Sequence, residues 1–565
     1  MTPDMLLKHF DRIAEGPDAI PRLRRFILDL AVRGKLVEQD PDDEPAAKLL
    51  TRIKKEKVKL VAEGTIKRQE SLTLPDKGKI QFELPPNWEI TTLQSVCISI
   101  ADGDHLPPPK TDQGVPFLVI GNVRWNSIDF SGCRFVSDKY FNALDPVRRP
   151  TKGDILYTLV GSFGIPVPVV DDRPFCIQRH IGVLRPSREI DRDFLLRTLE
   201  SGFIYEQASL CATGIAQKTV PLAGLRRISV PLPPLAEERR IVEKVDELMT
   251  LCDALEAAQQ KRESRRDRLV AASLHALGNG DNAEADERPS FADSTRFYLN
   301  HLPRLTTRPE HIKQLRQTIL SLAVRGKLVP QDTKDGTGDT SFPKLASAAI
   351  QPEDARFPSQ WLRVPLGKTG EWRGGGTPSK SRPDYWTGDI PWVSPKDMKV
   401  LFVADAQDHI SKAAVEDSSV RLIPPGSLLM VVRGMILARA FPVALTTREV
   451  TINQDMKALL PHEAKTKDYL LLALRAFEPD VLSAIEHSTH GTCRLETDFL
   501  QDFMIPLPPL AEQHRIVAKV DELMALCDAL ETDILSAADT RSRFLEATLR
   551  DALSKPTLEN CHETS

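Results

Sequence analysis

Apolar residues recur at helical spacing in two nearly identical stretches of the chain. In residues 231–256 (PLPPLAEERRIVEKVDELMTLCDALE), five of them follow one another at intervals of four and three: Ile241, Val245, Leu248, Cys252 and Leu255. These intervals are typical of a helix that packs lengthwise against another helix. Residues 506–531 (PLPPLAEQHRIVAKVDELMALCDALE) repeat the stretch with four differences. The chain therefore contains an internal duplication.

Each repeated stretch is expected to begin a long helix. The Pro-Leu-Pro-Pro segment cannot continue a helix and predicts an extended entry, and the Ala-Glu that follows starts the helix. The first helix is expected to continue to about Leu277, because glycines at 278 and 280 and a polar stretch follow it. The second is expected to reach about Leu553.

A second block is also duplicated. Leu23–Asp40 (LRRFILDLAVRGKLVEQD) returns as Leu315–Asp332 (LRQTILSLAVRGKLVPQD). Its apolar spacing predicts a helix that stops at Gly34 in the first copy and at Gly326 in the second. Lysine-rich residues 46–62 predict one more helix. The order along the chain is then helix, domain, helix, helix, domain, helix.

The two domains between these helices are related although their sequences have diverged. Gly153 and Gly161 are matched 273 positions later by Gly426 and Gly434. Short β-branched or aromatic runs between turn signals predict strands, and two segments predict helices. The strands are expected at Phe117–Ile120, Ile155–Val160, Leu429–Val432 and Phe441–Ala444, and the helices at Phe194–Glu200 and Tyr469–Ala476. Each domain is therefore expected to be of α/β type.

Composition and charge limit the possible classes. A chain of 565 residues with 41% hydrophobic and 27% charged residues is typical of a soluble protein of several domains. The net charge of -4 gives no overall attraction to nucleic acid, so any contact with DNA must come from local basic surfaces. The start of the chain has no signal-peptide pattern, and no run approaches 18 apolar residues. We expect a protein that stays inside the cell.

The eight cysteines favour a reduced compartment. They include no CxxC pair and no Cys/His cluster with the spacing of zinc ligands. Cys252 and Cys527 occupy the same position of the repeated helix, on its apolar stripe, and are expected to be small buried side chains rather than ligands.

A duplicated helix-domain unit suits recognition of two sites. Such a chain can fold into a pseudo-twofold molecule, and two recognition elements can then address two half-sites on DNA. Two different domains would read two different half-sites. The repeated helices would space the domains and offer the same surface twice to an identical partner.

Three segments resemble a known family: the repeated PLPPLAEQ helix, the LAVRGKLVPQD block and PWVSPKDM at Pro391–Met398. The chain resembles the specificity subunit of Type I restriction-modification systems over almost its whole length, with a weak match at residues 333–356. The resemblance implies a mixed α/β (α+β) fold with two similar target recognition domains, separated by long antiparallel coiled-coil helices in a pseudo-twofold repeat. The implied regions are 1–80 (helical), 81–232 (first recognition domain), 233–345 (central helices), 346–507 (second recognition domain) and 508–565 (conserved helix).

The resemblance also implies partners. Each recognition domain would read one half of a bipartite asymmetric sequence in double-stranded DNA. The helices would set the spacer and bind two methyltransferase subunits, which modify an adenine in each half-site, and restriction subunits would join them. The complex would work in the cytoplasm of a bacterial or archaeal cell, with no membrane.

No catalysis is expected from this chain. It has neither the glycine-rich turn with Asn/Asp-Pro-Pro-Tyr/Phe of aminomethyltransferases nor a GxxxxGK[ST] phosphate loop. S-adenosylmethionine (SAM), ATP and Mg²⁺ are therefore expected on partner subunits, with no cofactor or metal in this chain.

Two alternatives remain open from the residues. Asp384, Asp397 and Lys399 superficially fit the metal site of a nuclease, which needs two carboxylates on a divalent ion and a nearby lysine. The first domain has no counterpart, and acidic-x-Lys triplets also arise by chance. The second alternative is a coiled-coil scaffold whose variable domains bind protein or carbohydrate instead of DNA.

Candidate DNA-contacting residues are side chains that can reach phosphates and base edges. They lie in a polar loop of each domain, in a basic turn before a strand and at two matched Gln/Asn positions. In the first domain they are His105, Lys110, Thr111, Arg148, Arg149, Lys152, Gln178 and Arg179. In the second they are Arg373, Thr377, Ser379, Lys380, Arg382, Lys396, Lys399, Asn453 and Gln454. Solvated loops and hydrogen bonds within the sheet are the competing explanations, and Tyr385 and Trp386 are expected to be packing residues.

Cations on the repeated helices are candidate contacts for a partner. They are Arg33, Lys35, Arg240, Lys244, Arg325, Lys327, Arg515 and Lys519. Another charged face, formed by Arg262, Arg265, Arg266 and Arg268, is expected to be solvated, with partner or phosphate contact as the alternative.

Overall fold

A computed structural model describes residues 16–554 except 17, 71, 74–81, 105–107, 215–216, 280–289, 348, 350–356 and 488–492. The chain forms two compact units. The first combines Met1–Lys261 with Ala538–Ser565, and the second spans Arg262–Ala537. Each unit contains one of the two diverged domains together with segments of the repeated helices.

The first unit contains eleven strands among its described residues. They are β1 Glu89–Thr92, β2 Cys97–Asp102, β3 Val115–Leu118, β4 Val123–Arg124, β5 Ser127–Ile128, β6 Arg134–Val136, β7 Ile155–Thr158, β8 Pro166–Pro168, β9 Cys176–Ile177, β10 Ile181–Pro186 and β11 Ser229–Leu232. The helices that begin in this unit are Ala19–Val32, Ala46–Ala62, Leu93–Val96, Asp138–Ala143, Arg192–Glu200, Gly202–Cys211, Leu222–Arg227 and the first long helix, Leu235–Asn279.

The second unit contains twelve strands among its described residues. They are β12 Leu362–Pro365, β13 Gly370–Gly374, β14 Ile390–Val393, β15 Phe402–Val403, β16 Asp408–Ile410, β17 Leu428–Val431, β18 Val443–Thr446, β19 Thr451–Ile452, β20 Met456–Pro461, β21 Glu486–His487, β22 Cys493–Arg494 and β23 Met504–Leu507. The helices that begin in it are Phe291–Leu305, Pro309–Ala323, Gly338–Ser341, Pro343–Ala346, Lys412–Glu416, Lys467–Ala476, Glu478–Ser483, Thr497–Asp502 and the second long helix, Leu510–Ser554.

The two domains share one sheet topology, to which the second domain adds the strand β15. The larger sheet has the order β2-β10-β7-β8 in the first domain and β13-β20-β17-β18-β15 in the second. A smaller sheet has the order β6-β3-β9 or β16-β14-β19, and in each its last two strands are parallel. A two-stranded pair, β1-β11 or β12-β23, brings the start of the domain beside its end. The predicted relationship between the domains and their α/β class are confirmed.

The prolines before each long helix continue an extended strand, as predicted. β11 and β23 end with the Pro-Leu of the repeated segment and pair antiparallel with β1 and β12. The long helix starts three residues after each of these strands. Its direction is therefore fixed to the domain that precedes it.

Two equivalent buried carboxylates join each domain to its helices. Glu237 accepts hydrogen bonds from Trp88 Nε1 (2.9 Å) and Gln39 Nε2 (2.6 Å). In the second unit Glu512 accepts them from Trp361 Nε1 (3.0 Å) and Gln331 Nε2 (2.5 Å). Burial raises the pKa of both carboxyl groups, and the hydrogen bonds from tryptophan and glutamine oppose that shift.

Polar contacts give the direction of the helices within the first unit. Arg24, early in the helix Ala19–Val32, pairs with Asp253 (2.6 Å), whereas Gly34, just after its end, lies beside Trp88, which binds Glu237. The helix therefore runs antiparallel to the first long helix. Contacts from Arg22 to Ser542 and from Lys35 to Leu553 O show that it runs parallel to the last turns of the second long helix. The first long helix and the last turns of the second long helix are thus antiparallel to each other.

The second unit repeats this arrangement. Arg316 pairs with Glu531 (2.9 Å), and Gly326 lies beside Trp361, which binds Glu512. His311 lies 2.9 Å from Asp267, and Arg325 donates to Gly278 O at 2.6 Å. The expected antiparallel packing of the long helices is therefore present within each unit.

The predicted helices are present, and further helices that were not predicted accompany them, such as Gly202–Cys211. The long helices end at Asn279 and Ser554, and the lysine-rich segment forms Ala46–Ala62. Cys252 and Cys527 are buried, as expected. The helix Phe291–Leu305 was not predicted; its Tyr298 and Leu305 pack with Val270, Leu274 and Leu277. The polar stretch that precedes this helix predicts a loop, and the helix was therefore not recognised from the sequence.

The predicted strands are present with small shifts at their ends. β7 is Ile155–Thr158, β17 is Leu428–Val431 and β18 is Val443–Thr446. The segment predicted as a strand at 117–120 forms β3 two residues earlier, and Ile120 begins a 3-10 turn instead. No helix of the described residues is long and apolar enough to cross a membrane.

Candidate nucleic-acid interface

In the first domain, two segments that the sequence nominated separately lie side by side. β2 leads into Asp104, which forms a parallel bridge with Gln178. Gly103 makes this approach possible, because a Cβ atom there would lie 2.0 Å from Ile177 O. We call this surface, formed by residues 102–104, 148 and 178–180, the first loop edge.

Arg148 holds the first loop edge together. Its guanidinium lies 3.7 Å from Asp102 and 3.9 Å from Asp104, and it donates to Gly103 O at 3.3 Å. The Tyr140 hydroxyl donates to Asp104 at 2.6 Å. Burial and this hydrogen bond raise the pKa of Tyr140. Since two carboxylates offset the charge of Arg148, its contribution is to position the loop.

The other candidates of the first domain surround this edge or lie outside the described residues. Gln178 and Arg179 are on it, and the side-chain amide of Gln178 has no hydrogen-bond partner among the described residues. Burial, followed by the charge of Arg179, lowers the pKa of His180. His105 falls in the part of the chain that is not described.

The structure describes the exposure or the contacts of four further candidates. Lys110 is exposed, and Thr111 donates its backbone N–H to Phe135 O at 3.1 Å. Arg149 lies 5.6 Å from the centre of the Phe141 ring. Lys152 forms an exposed ion pair with Asp172 at 3.4 Å.

The second domain builds an equivalent surface with different side chains. A Cβ atom on Gly375 would lie 1.9 Å from Asn453 O, so the glycine run lets the two segments touch. Trp392 Nε1 donates to Gly376 O at 2.9 Å, and the Thr377 hydroxyl donates to the Gln454 side chain. We call this surface, formed by residues 374–377, 392 and 453–455, the second loop edge.

Asn453 and Gln454 have different surroundings on this edge. Asn453 is buried and its side-chain oxygen accepts from the Asp455 backbone N–H at 3.1 Å, which closes a turn. Gln454 is exposed and is held only by Thr377 among the described residues. Gln454 therefore presents an amide to solvent, whereas Gln178 on the first loop edge is half-buried.

The predicted loop Arg373–Arg382 needs a correction at its start. Arg373 belongs to strand β13, where it pairs with Glu371 (2.9 Å) and donates to Leu422 O (2.9 Å). Arg373 is part of a strand because β13 pairs with β20, although the glycine-rich sequence that follows it predicts a loop.

Only the last part of this segment, residues 379–382, is exposed. Ser379 and Ser381 share a hydrogen bond of 2.8 Å. Arg382 pairs with Asp384 (2.6 Å) and lies 4.4 Å from the centre of the Tyr385 ring. Three exposed lysines near it have neither ion pair nor hydrogen bond among the described residues: Lys380, Lys396 and Lys399.

Comparison with known proteins decides what these paired domains are. The family model described as "Type I restriction modification DNA specificity domain" matches the chain twice, at residues 85–263 and 358–538. This chain belongs to the Type I restriction-modification specificity subunits. Each match covers one loop edge and the beginning of the long helix that follows it. The chain therefore carries two DNA specificity domains, and the family match does not favour a scaffold without DNA recognition.

Similar proteins agree with this assignment along almost the whole specificity subunit. The Escherichia coli proteins "Type I restriction enzyme EcoAI specificity subunit" and "Type I restriction enzyme EcoEI specificity subunit" are 28% and 25% identical. These alignments cover 94% and 95% of this chain and 93% and 94% of the relatives. A chain from a solved structure of the type I R-M system is 22% identical with a TM-score of 0.47, covering 84% of this chain and 99% of that chain.

The carboxylates of the nuclease alternative serve the fold of the second specificity domain. Asp397 accepts from Ser394 N (2.9 Å), Ser394 Oγ (2.9 Å) and Gln407 N (3.0 Å). Asp384 pairs with Arg382, and this hydrogen bond lowers the pKa of Asp384. No group of three His, Cys, Asp or Glu residues that could hold a metal ion occurs within the described ranges. Nothing here supports a nuclease.

Tyr385 and Trp386 are packing residues, as expected. Tyr385 is buried, and its hydroxyl donates to Asp417 at 3.3 Å. The Trp386 ring meets Trp392 edge-on, with 5.1 Å between ring centres. Trp386 thus packs against the ring of Trp392, which donates its hydrogen bond to Gly376 O.

Most candidate docking cations of the specificity subunit have structural partners. Arg240 pairs with Asp43 (2.7 Å) and Arg515 with Asp335 (2.7 Å). Lys35 and Arg325 donate to backbone carbonyls, and Arg33 lies over the Phe82 ring. Lys327 is half-buried and also interacts within the chain. Lys244 and Lys519 are more exposed and pair with Glu247 and Glu522, each at 2.8 Å.

The charged face at Arg262–Arg268 is mostly engaged within the second unit. Arg266 pairs with Glu263, and Arg268 Nε donates to Ser264 O at 3.3 Å. Arg262 is half-exposed and 3.9 Å from Glu263, and Arg265 is exposed.

Two exposed arginines beside the second loop edge were missed from the sequence. The backbone N–H groups of Val432 and Arg433 bond to Asp455 O, which places the turn at Gly434 next to that edge. Arg433 is exposed at this turn, and Arg439 is exposed just after the 3-10 helix Met435–Ala438 that follows it; neither has a side-chain partner among the described residues. The match of Gly161 with Gly434 was the available signal, since it marks a turn shared by both domains.

Proposed function

We propose that this chain is the sequence-reading subunit of a Type I restriction-modification complex. Each specificity domain reads one half of a bipartite asymmetric DNA target, and the long helices set the spacer and bind two methyltransferase subunits. Restriction subunits join that complex. The chain itself is non-catalytic, the partners bind SAM, ATP and Mg²⁺, and the complex works in the cytoplasm.

One observation carries the two-site proposal. The two loop edges have the same backbone support, a glycine against the strand of the smaller sheet, but different side chains around it. This common support favours a reading surface at the same point of each domain. Where these side chains differ, the two surfaces can contact different base pairs.

Gln178 and Gln454 are the proposed base-reading residues. A glutamine amide offers a donor and an acceptor, which can match the two major-groove groups of adenine. Thr377 orients the amide of Gln454, so that less conformational freedom is lost when it binds a base edge. Arg179 adds a cation beside Gln178.

Lysines around each edge would supply sequence-independent affinity. Lys380, Lys396 and Lys399 in the second domain and Lys110 in the first are exposed and can follow the phosphate backbone. The net charge of -4 makes such local groups necessary.

The repeated helices support docking of two identical partners. Leu251 and Leu526 occupy the same position of the two long helices and are 53% and 60% exposed. Lys244 and Lys519, about two turns earlier, keep the same ion pair. Each unit thus offers an apolar side chain beside the same charged pair, a combination that fits a protein partner.

Single-molecule sequencing of methylated bases tests the proposal. Cells would express this chain with its neighbouring methyltransferase, either unchanged or carrying Gln178→Ala or Gln454→Ala. We expect a bipartite adenine-methylated motif in the unchanged strain. Each variant should relax one half only, with about 1–3 kcal/mol less discrimination at the affected base pair.

The two variants act as controls for each other. If both relaxed the same half, the assignment of one half to each domain would be wrong. A methylated motif that is not divided into two halves would contradict the proposed function itself. So would a purified complex of verified assembly that prefers no DNA sequence.

A further inference from the structure

A basic cavity of about 910 Å³ lies beside strand β2 in the first unit, outside the first loop edge. Five cationic side chains line it: Lys67, Arg68, Arg149, Arg226 and Arg227. Glu70 and Asp145 are the acidic residues in its described lining. The excess of positive charge stands out in a chain whose net charge is negative.

The cavity is built on the open edge of the larger sheet. β2 is the outermost strand, so one side of it has no neighbouring strand. Gln69 Nε2 donates to Ile98 O at 2.9 Å, and Arg226 donates to Ile100 O at 2.8 Å. These bonds satisfy the carbonyl groups of the edge and fix two walls of the cavity.

Part of the positive charge in the cavity is not offset. Lys67 pairs with Asp145 at 3.3 Å, and Arg149 rests on an aromatic ring. Arg68 and Arg227 are exposed and have neither hydrogen bond nor ion pair within the described part of the chain. These two arginines are available to an anionic ligand.

The position of the cavity favours DNA as that ligand. Ile100 lines the cavity and Gly103 belongs to the first loop edge, three residues further along the strand. At about 3.3 Å per residue the two are roughly 10 Å apart. Each DNA strand carries a charge about every 3.4 Å along the axis, so roughly three phosphates span that distance. A duplex that runs along β2 from the first loop edge would therefore bring phosphates to the cavity.

Two of the five cations that line this cavity have uncharged or acidic counterparts in the second unit. The pairing of Glu89 with Leu232 in β1-β11 is repeated by Leu362 with Leu507 in β12-β23. In this register Arg226 and Arg227 correspond to Gln501 and Asp502. A pair of cations in one domain is thus replaced by an amide and a carboxylate in the other.

We propose that this basic cavity binds the phosphodiester backbone of DNA next to the first half-site, so that the two domains hold their half-sites with unequal electrostatic strength. The inference rests on the proposed function. Because phosphates carry no sequence information, the cavity strengthens binding without changing the target.

Salt-dependent binding tests it. The assembled complex with its methyltransferase would be titrated with a target duplex between 50 and 200 mM salt, comparing unchanged chain with Arg68→Gln/Arg227→Gln. Loss of two phosphate contacts should reduce the slope of log K against log salt by about 1.8. The unchanged complex should then lose about tenfold more affinity over this salt range than the variant.

A matched control removes two charges elsewhere in the same unit. Lys54→Gln/Lys55→Gln changes two exposed lysines of the helix Ala46–Ala62 that do not line the cavity, and should leave the slope unchanged. The methylated motif should be identical in all three complexes.

The possible results separate the inference from the function on which it rests. An unchanged slope in an intact cavity variant would overturn the inference, and so would weaker methyltransferase association with unaltered DNA binding, which would indicate a protein-docking surface. A complex that fails to prefer its target even with the unchanged chain would overturn the proposed function instead.

Discussion

The two units of this molecule are alike where helices meet domains and different where the domains end in loops. Glu237 and Glu512 make the same two hydrogen bonds to tryptophan and glutamine. At the loop edges the glycine support and one glutamine are common, and the other side chains differ. The shared contacts involve buried carboxylates and indole rings, whereas the differing residues of the loop edges include exposed side chains such as Arg179. We call the contact of Glu237 or Glu512 with its tryptophan, its glutamine and the nearby glycine (Gly34 or Gly326) the joint of each unit. The joint is the same in both units, whereas the recognition surfaces differ.

Replacing the glycine at the joint should have the largest effect on stability, and an equal one in both units. Gly34 and Gly326 have φ of 66° and 69°, and a Cβ atom would lie 2.4 Å from a proline Cγ atom in each unit. Gly34→Ala or Gly326→Ala should cost about 3 kcal/mol, from left-handed backbone strain plus overpacking.

Hydrogen exchange of amides in Ala19–Val32 and Pro309–Ala323 would measure this loss unit by unit. Gly64→Ala is the control, because Gly64 has φ of 72° but no atom within 4 Å of the added Cβ. It should cost only about 1 kcal/mol. Equal losses at Gly34 and Gly64 would mean that the proline contact contributes nothing.

Removing the buried carboxylate should have the next largest effect. Glu237→Ala and Glu512→Ala each leave an indole N–H and an amide without their acceptor, offset in part by the loss of a desolvated charge. We expect about 2 kcal/mol in each unit. Exchange rates in the same two helices report it, and Glu→Gln at either position should cost less because an acceptor remains. A loss in one unit only would break the equivalence of the joints.

The smallest effect concerns the neighbouring position, where the joints differ. Glu238 is buried, and burial raises its pKa well above the ordinary value, although Asp191 N donates to it at 2.6 Å. Its other carboxyl oxygen has no hydrogen-bond partner among the described residues. The second unit has Gln513, whose amide donates to Pro508 O at 2.9 Å. Glu238→Gln should therefore stabilise the first unit by about 1 kcal/mol at neutral pH.

This difference should depend on pH. The folded state holds the Glu238 proton more tightly than the unfolded chain, so unchanged protein loses stability as pH rises from about 4 towards the raised pKa. The variant should lack this loss, and the two proteins should converge at acidic pH. Unfolding measured from pH 4 to 8 checks the sign. A gain that is the same at every pH would show that Glu238 does not titrate as expected.

Much of the scaffold could be predicted because its signals are local. The intervals from Ile241 to Leu255 and the proline entry identify each long helix, and Gly34 marks a helix end that requires positive φ. Because these blocks are duplicated, each of these patterns occurs twice in the sequence. The helix Phe291–Leu305 was missed because only its packing on Val270 and Leu274 distinguishes it from the polar segment before it.

The candidate interface was less predictable, since its residues are separated in sequence. The sequence nominated Gln178 and Gln454 by their chemistry, but it did not distinguish exposed Gln454 from buried Asn453. Arg148 and Arg373 were nominated as cations available to DNA, and in the structure both have acidic neighbours. Charge pairing depends on which strands lie side by side, and no local pattern contains that information.

The sequence by itself determined the duplication, the helices and the family resemblance, because each depends on short-range periodicity or on identity between two copies. Only the tertiary structure decided which loops share an edge, which cations remain unpaired and where a basic cavity forms beside β2. These features arise from contacts between residues far apart in the chain, such as Gly103 with Ile177 and Arg226 with Ile100. Such contacts depend on sheet order and register, and these are set by the packing of the whole domain.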